Sequence, residues 1–176
     1  MFLDPLSVSQ QAALVLLAGA ALWDARTGCI PNALTLPPLF LAPLVYLGIH
    51  GLDAALWSLV SALGCGLLPY LMFRKGAAGG GDVKLLAALG AVAGVGMGIE
   101  TQLYGFGIAA AFSLVLLAFR GELLRTLGRS LVLLLSGLLP RSRKPVIATS
   151  ELTSVRMGVP FFAGALLSLY LGQLGV

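Results

Sequence analysis

Gly76-Ala77-Ala78-Gly79-Gly80-Gly81-Asp82-Val83-Lys84-Leu85-Leu86-Ala87-Ala88-Leu89-Gly90 is the stretch that decides how the rest of the chain is read. A glycine-rich loop runs into an acid, and the acid opens an apolar segment. Aspartate is a favoured helix cap because its carboxylate accepts backbone N–H groups of the first turn. The apolar segment continues over residues 83–99 and places Gly90, Gly94 and Gly98 at four-residue spacing. Such a stripe lets another helix backbone come close, which is how helices pack in a membrane without a hydrophobic driving force.

Composition extends this reading to the whole chain. Of its 176 residues, 59% are hydrophobic and only 10% charged, and the mean hydropathy is +0.99. Soluble domains carry roughly a quarter charged residues. A chain of this length has no interior large enough to hide so much apolar surface, so lipid is part of its solvent. The net charge of +4 then bears on which loops face the cytoplasm rather than on nucleic acid. Cys29 and Cys65 are too few and too far apart for a zinc module, and both read as small apolar fillers. No metal and no cofactor are expected. Met1 to Asp4 carry no basic residue, so no cleaved signal peptide is expected.

About 20 apolar residues cross the hydrocarbon core as a helix. On that criterion the apolar runs are 8–23, 33–49, 54–73, 83–99, 102–119 and 159–174. The first is closed by Asp24. The second contains Pro37, Pro38 and Pro43, which remove backbone donors and predict an irregular or kinked start. His50 to Asp53 reads as a tight turn, with His50 a turn or interface residue. Glu100-Thr101 reads as the next outer turn. Residues 120–140 place Glu122, Arg125 and Arg129 at helical spacing among leucines, which predicts an amphipathic helix lying at the interface.

The basic residues test this layout. All eleven Lys and Arg fall in or beside the first, third and fifth loops. By the positive-inside rule those loops are cytoplasmic and both termini lie on the other side. The expected fold is therefore all-α: one polytopic domain over residues 1–176, with about six spans and one interfacial helix.

Asp24 ends the first span and Asp82 begins the fourth, so both acids belong at the cytoplasmic end. A charge near hydrocarbon costs up to about 2.5–3.5 kcal/mol on insertion scales, so an acid there needs a reason. From the residues alone, two readings stand for each. Asp82 is either a helix cap or a functional acid. Asp24 sits at a helix C-terminus, where the macrodipole disfavours an anion; it is either paired with Arg26 or functional. If the two meet, they cannot both ionise cheaply and share one proton. The ionised carboxylate can then take a proton from water while the protonated one donates to a peptide carbonyl, hydrolysing the bond without a metal or a covalent intermediate. Gly79 and Gly81 suit such a site, because a backbone without Cβ admits an extended peptide. Lys84 is a neighbour able to pair with substrate or with Asp82, or to snorkel to the interface.

The stretch ending in Gly79-Gly80-Gly81-Asp82 resembles the GxGD motif of the type IV prepilin peptidases and of their relatives, the archaeal preflagellin peptidases. Asp24 followed by Ile30-Pro31-Asn32-Ala33-Leu34-Thr35-Leu36-Pro37 resembles that family's first motif. Arg156-Met157-Gly158-Val159-Pro160-Phe161 resembles its C-terminal motif. The resemblance implies a membrane aspartic endopeptidase with Asp24 and Asp82 as the catalytic pair. It implies a bacterial inner-membrane location, and a prepilin or pseudopilin substrate presented by its basic leader and hydrophobic helix. The larger bacterial members carry an insert with paired CxxC motifs associated with methyl transfer. No CxxC occurs here, so the chain resembles the short, peptidase-only form that serves Flp (tight-adherence) pili.

Three other readings compete. The presenilin and signal peptide peptidase group shares the GxGD motif but carries a Tyr-Asp pair on a transmembrane helix, whereas Trp23-Asp24 precedes a polar loop. A small ion or proton transporter predicts acids near the midplane in matched halves with interrupted helices. An inactive scaffold of a pilus system would keep the motifs without turnover.

Overall fold

The computed structural model describes residues 6–119 and 157–174. They form five helices: α1 (Val8–Thr27), α2 (Asn32–His50), α3 (Leu52–Arg74), α4 (Gly80–Phe119) and α5 (Gly158–Leu174). The chain is all-α over these residues. Four helices are long and apolar enough to cross a membrane, and α5 is a shorter apolar helix. The expected interfacial helix at 120–140 lies outside the described residues.

The chain divides into two units, Met1–Ile108 with Arg156–Val176, and Ala109–Val155. Of the second, residues 109–119 are described. They are helical, and Ser113 Oγ donates to Ala109 O at 2.7 Å. Everything below concerns the first unit.

Helix α1 starts with a reciprocal cap. Gln10 N–H donates to Ser7 Oγ at 3.3 Å and Ser7 N–H to Gln10 Oε1 at 2.9 Å, satisfying two otherwise orphaned donors. It ends one turn later than its apolar run, because the polar residues complete the last turn. Thr27 Oγ1 donates to Trp23 O at 2.9 Å, and Gly28, left-handed at φ 73°, donates its N–H to Asp24 O at 2.8 Å. Asp24 therefore lies inside the last turn rather than after the helix.

Helix α2 runs through Pro37, Pro38 and Pro43 without the irregular start expected of it. Neighbouring helices in a membrane bundle re-satisfy carbonyls that prolines leave free. Gly51 alone separates α2 from α3, and the His50 ring packs near Tyr46 with centroids 6.0 Å apart.

Helix α3 packs antiparallel to the first part of α4: Ser58 Oγ donates to Ala91 O at 2.7 Å, and further along a Cβ on Gly66 would stand 3.1 Å from Ala87 Cβ. Beyond Gly94, Gln102 Nε2 donates to Cys65 O at 3.0 Å. The glycine stripe of α4 is split in its use. A Cβ on Gly90 would run into Ser61 O and stand 2.8 Å from Cys65 Cβ, and one on Gly98 would meet the Cys65 sulfur. Those two glycines are packing positions. Gly94 is a break: its φ of 83° and ψ of 173° belong to a region open essentially to glycine alone. A Cβ on Gly98 would also stand 3.6 Å from Gly90 Cα. In an unbroken helix, eight residues separate such positions by about 12 Å. The chain therefore reverses at Gly94, and Glu100 and Thr101 are helical rather than the expected turn. Only a glycine can make that reversal without strain, whereas Glu100 and Thr101 are held in the helix that follows by their neighbours. Ser168 Oγ donates to Glu100 Oε2 at 2.6 Å. Of the two cysteines, Cys65 is the buried filler between Gly90 and Gly98, while Cys29 is exposed.

The buried core is shared by α1 (Leu16, Leu17, Ala20), the first part of α4 (Leu85, Leu86, Leu89) and α5 (Phe161, Ala165). Phe106 meets Phe161 edge-on at 5.2 Å and 83°. The outer surface is equally apolar. Leu63, for instance, is 75% exposed. In water each such side chain would forgo about 1.5–3 kcal/mol of burial, a loss that lipid removes.

Candidate active site at one end of the bundle

Helices α1 and α3 finish, and α2, α4 and α5 begin, at the same end of the bundle. The described basic residues Arg26, Arg74, Lys75 and Lys84 all belong to these termini, and so do both candidate acids.

Asp82 occupies the third position of α4 rather than the cap itself. Its Oδ2 reaches back to accept the Gly79 N–H at 3.0 Å, while its own N–H donates to Gly79 O at 3.2 Å. This is the carboxylate half of a capping box, with a glycine where the cap side chain would stand. A Cβ on Gly79 would lie 3.2 Å from Asp82 Oδ2, so the missing side chain leaves room for the acid. Gly81 serves a different contact: a Cβ there would lie 3.1 Å from Ile30 Cβ and 3.4 Å from Ile30 O. The close approach expected of a substrate is made at Gly81 by the α1–α2 loop of the chain itself.

Asp24 is held from the other end of the sequence. Gly158 N–H, in the first turn of α5, donates to Asp24 Oδ2 at 2.9 Å in a buried contact. A Cβ on Gly158 would stand 2.9 Å from Asp24 Cβ and 3.1 Å from Ala20 O. Arg26, the partner expected on a structural reading of Asp24, is exposed. The C-terminus of α1 disfavours an anion, and the N-terminus of α5 offsets it. Each aspartate thus faces the positive end of a helix, Asp82 that of α4 and Asp24 that of α5.

Asp24 is 4% exposed and Asp82 9%. They lie near enough for the charge of one to act on the other. Lys84 pairs with neither: its Nζ donates to Asn32 Oδ1 at 2.7 Å on the exposed rim, tying the start of α2 to the start of α4. Among the described residues, no three His, Cys, Asp or Glu side chains gather as a metal-ligand set.

Gly158, Asn32 and Ile30 are contacts at this site that a reading centred on the two acids passes over. All three sit within the quoted motifs, so their signal was positional. Nothing in their residue types indicates which side chain they touch.

No curated protein and no solved structure matches the chain significantly. The model of the type IV leader peptidase family matches residues 12–118, a stretch holding both buried aspartates, the glycine loop and the Gly94 reversal. With more than half its length so matched, the chain belongs to the type IV leader peptidase family.

Proposed function

We propose that this protein is a membrane aspartic endopeptidase that removes the short basic leader of type IV prepilins or pseudopilins at the cytoplasmic face. One observation carries the reading. In a member of a leader peptidase family, two buried carboxylates from separate helices lie at the end of the bundle where the described basic residues gather.

The chemistry follows from the pair. The ionised aspartate accepts a proton from water as the water attacks the scissile carbonyl carbon. The protonated one donates to the carbonyl oxygen. Collapse of the tetrahedral intermediate then expels the amine, with a proton returned to it. The Gly79 and Gly158 N–H groups hold Oδ2 of Asp82 and of Asp24, leaving Oδ1 of each as the oxygen for water or substrate.

The prepilin reaches the site through its hydrophobic helix, with the bilayer as the second partner. The reversal at Gly94 divides α4 in two and supports a six-segment layout. The proposed setting is a bacterial inner membrane with both termini outside, on the positive-inside distribution of Lys and Arg. The absence of CxxC in the sequence supports peptidase activity without methyl transfer.

Co-expression with a prepilin from the same genome tests this, with leader loss followed on a gel beside Asp24→Asn and Asp82→Asn. The expected result is cleavage by the parent and none by either variant at equal membrane abundance. An Asn variant that cleaves like the parent removes that aspartate from the site. A parent inert toward a panel of prepilins overturns the reading.

A further inference from the structure

Thr35 is a buried polar side chain that the fold does not use. It is fully buried, and its Oγ1 has no hydrogen-bond partner among the described residues. A helical threonine commonly donates to the carbonyl four residues back. For Thr35 that carbonyl is Pro31 O, which accepts the Leu34 N–H at 3.1 Å but no bond from the Thr35 hydroxyl. A buried hydroxyl left in this way costs stability. Valine, of the same shape without the oxygen, would suit the fold better.

Thr101 shares the missing partner. Its backbone lies in the tight contact with Gly164, in the middle of α5, where a Cβ would stand 2.8 Å from Thr101 O. The lack of a partner therefore does not by itself select Thr35; its neighbours do. Asn32, one turn earlier on the same face of α2, binds Lys84, two residues past Asp82. Leu34 packs against Gly19, little more than a turn before Asp24. Ile30 covers Gly81. With Asn32 turned to α4 and Leu34 to α1, Thr35 lies on the arc of α2 between them, about 4.5 Å further along the helix than the rim pair.

Depth gives this position a chemical use. A peptide bond at the head of a hydrophobic helix must be drawn out of that helix before water can attack it. The N–H and C=O groups so freed have no water to pair with at membrane depth. A hydroxyl can serve either one, since it both donates and accepts.

We infer that Thr35 is a substrate-binding residue. Its hydroxyl pairs with the main chain of the substrate segment that follows the scissile bond, where that segment leaves the aspartates for the membrane interior. This rests on the peptidase reading above.

The test compares the parent, Thr35→Val, Thr35→Ser and Asp82→Asn, each purified into lipid vesicles with a prepilin. Both kcat/KM for leader removal and the thermal unfolding midpoint are measured. The inference expects Thr35→Val to unfold at or above the parental midpoint while kcat/KM falls about tenfold or more, the loss of one pairing to buried backbone. Thr35→Ser should keep activity within about threefold of the parent, because it keeps the hydroxyl. Parental activity in Thr35→Val overturns the inference and leaves the peptidase reading intact. So does a lowered midpoint in Thr35→Val, which makes the hydroxyl structural, or a Thr35→Ser as slow as Thr35→Val. A parent as inert as Asp82→Asn overturns both readings.

Discussion

The first part of α4 and the whole of α2 are similar in composition and opposite in circumstance. Leu85, Leu86 and Leu89 on α4 are fully buried, while Phe40, Leu41, Leu44 and Val45 on α2 are mostly exposed. In a soluble protein that contrast would be written in polar residues on the exposed face. Here lipid is as apolar as the core, and hydropathy loses its power to separate inside from outside. The interior is marked instead by small and weakly polar residues: Ser58, Ser61, Cys65, Gly90 and Gly98, gathered where α3 meets α4.

The sharpest way to break this comparison is a matched pair of truncations. Leu89→Ala should cost about 2–5 kcal/mol, the range for a packed interior leucine. Leu44→Ala, at a site 61% exposed, should stay within about 0.5 kcal/mol. Unfolding midpoints in one detergent or lipid check both, and equal losses would remove the distinction between the two helices.

Gly158→Ala comes next. Its Cβ would press on Asp24 and on the α1 backbone, a crowding worth about 1–3 kcal/mol. Leader cleavage should fall further than stability does, because the contact sets the position of Asp24. Cleavage tracking stability in proportion would make Gly158 a packing residue only.

Gly94→Ala should lose about 1–3 kcal/mol to backbone strain, although a Cβ there meets nothing within 4 Å. A stability unchanged by this substitution would show that α4 does not need its reversal.

The smallest effect belongs to Ser58→Ala. Its hydroxyl bonds Ala91 O across the α3–α4 contact, and interhelical hydrogen bonds in membranes average about 0.6 kcal/mol. A loss well above that would mean the small polar residues hold the interior together rather than merely permit close packing.

The two acids of the candidate site are legible in the sequence. Asp24 and Asp82 stand out because acids are rare in such a chain, and the alternation of spans brings both to one end. Their partners were not legible. Asp24 reads locally as an anion at the unfavourable end of α1, and what relieves it is the Gly158 N–H, which sequence separation hides. Lys84 reads as a companion to Asp82, yet it reaches across to Asn32. The second-span prolines read as a disruption, yet α2 absorbs them.

Residue order alone is enough for an all-α membrane chain, for which residues could do chemistry, and for their place at the ends of apolar runs. Those properties follow from local composition and from helix length against bilayer thickness. Tertiary structure alone decided the fate of three glycines at identical spacing, two pressed against Cys65 and one turning the chain. It also decided which apolar face meets lipid and which backbone N–H holds each aspartate. The physical reason is shared by all of these: close approach between helices distant in sequence depends on the shape of the partner, and no residue type encodes its partner's shape.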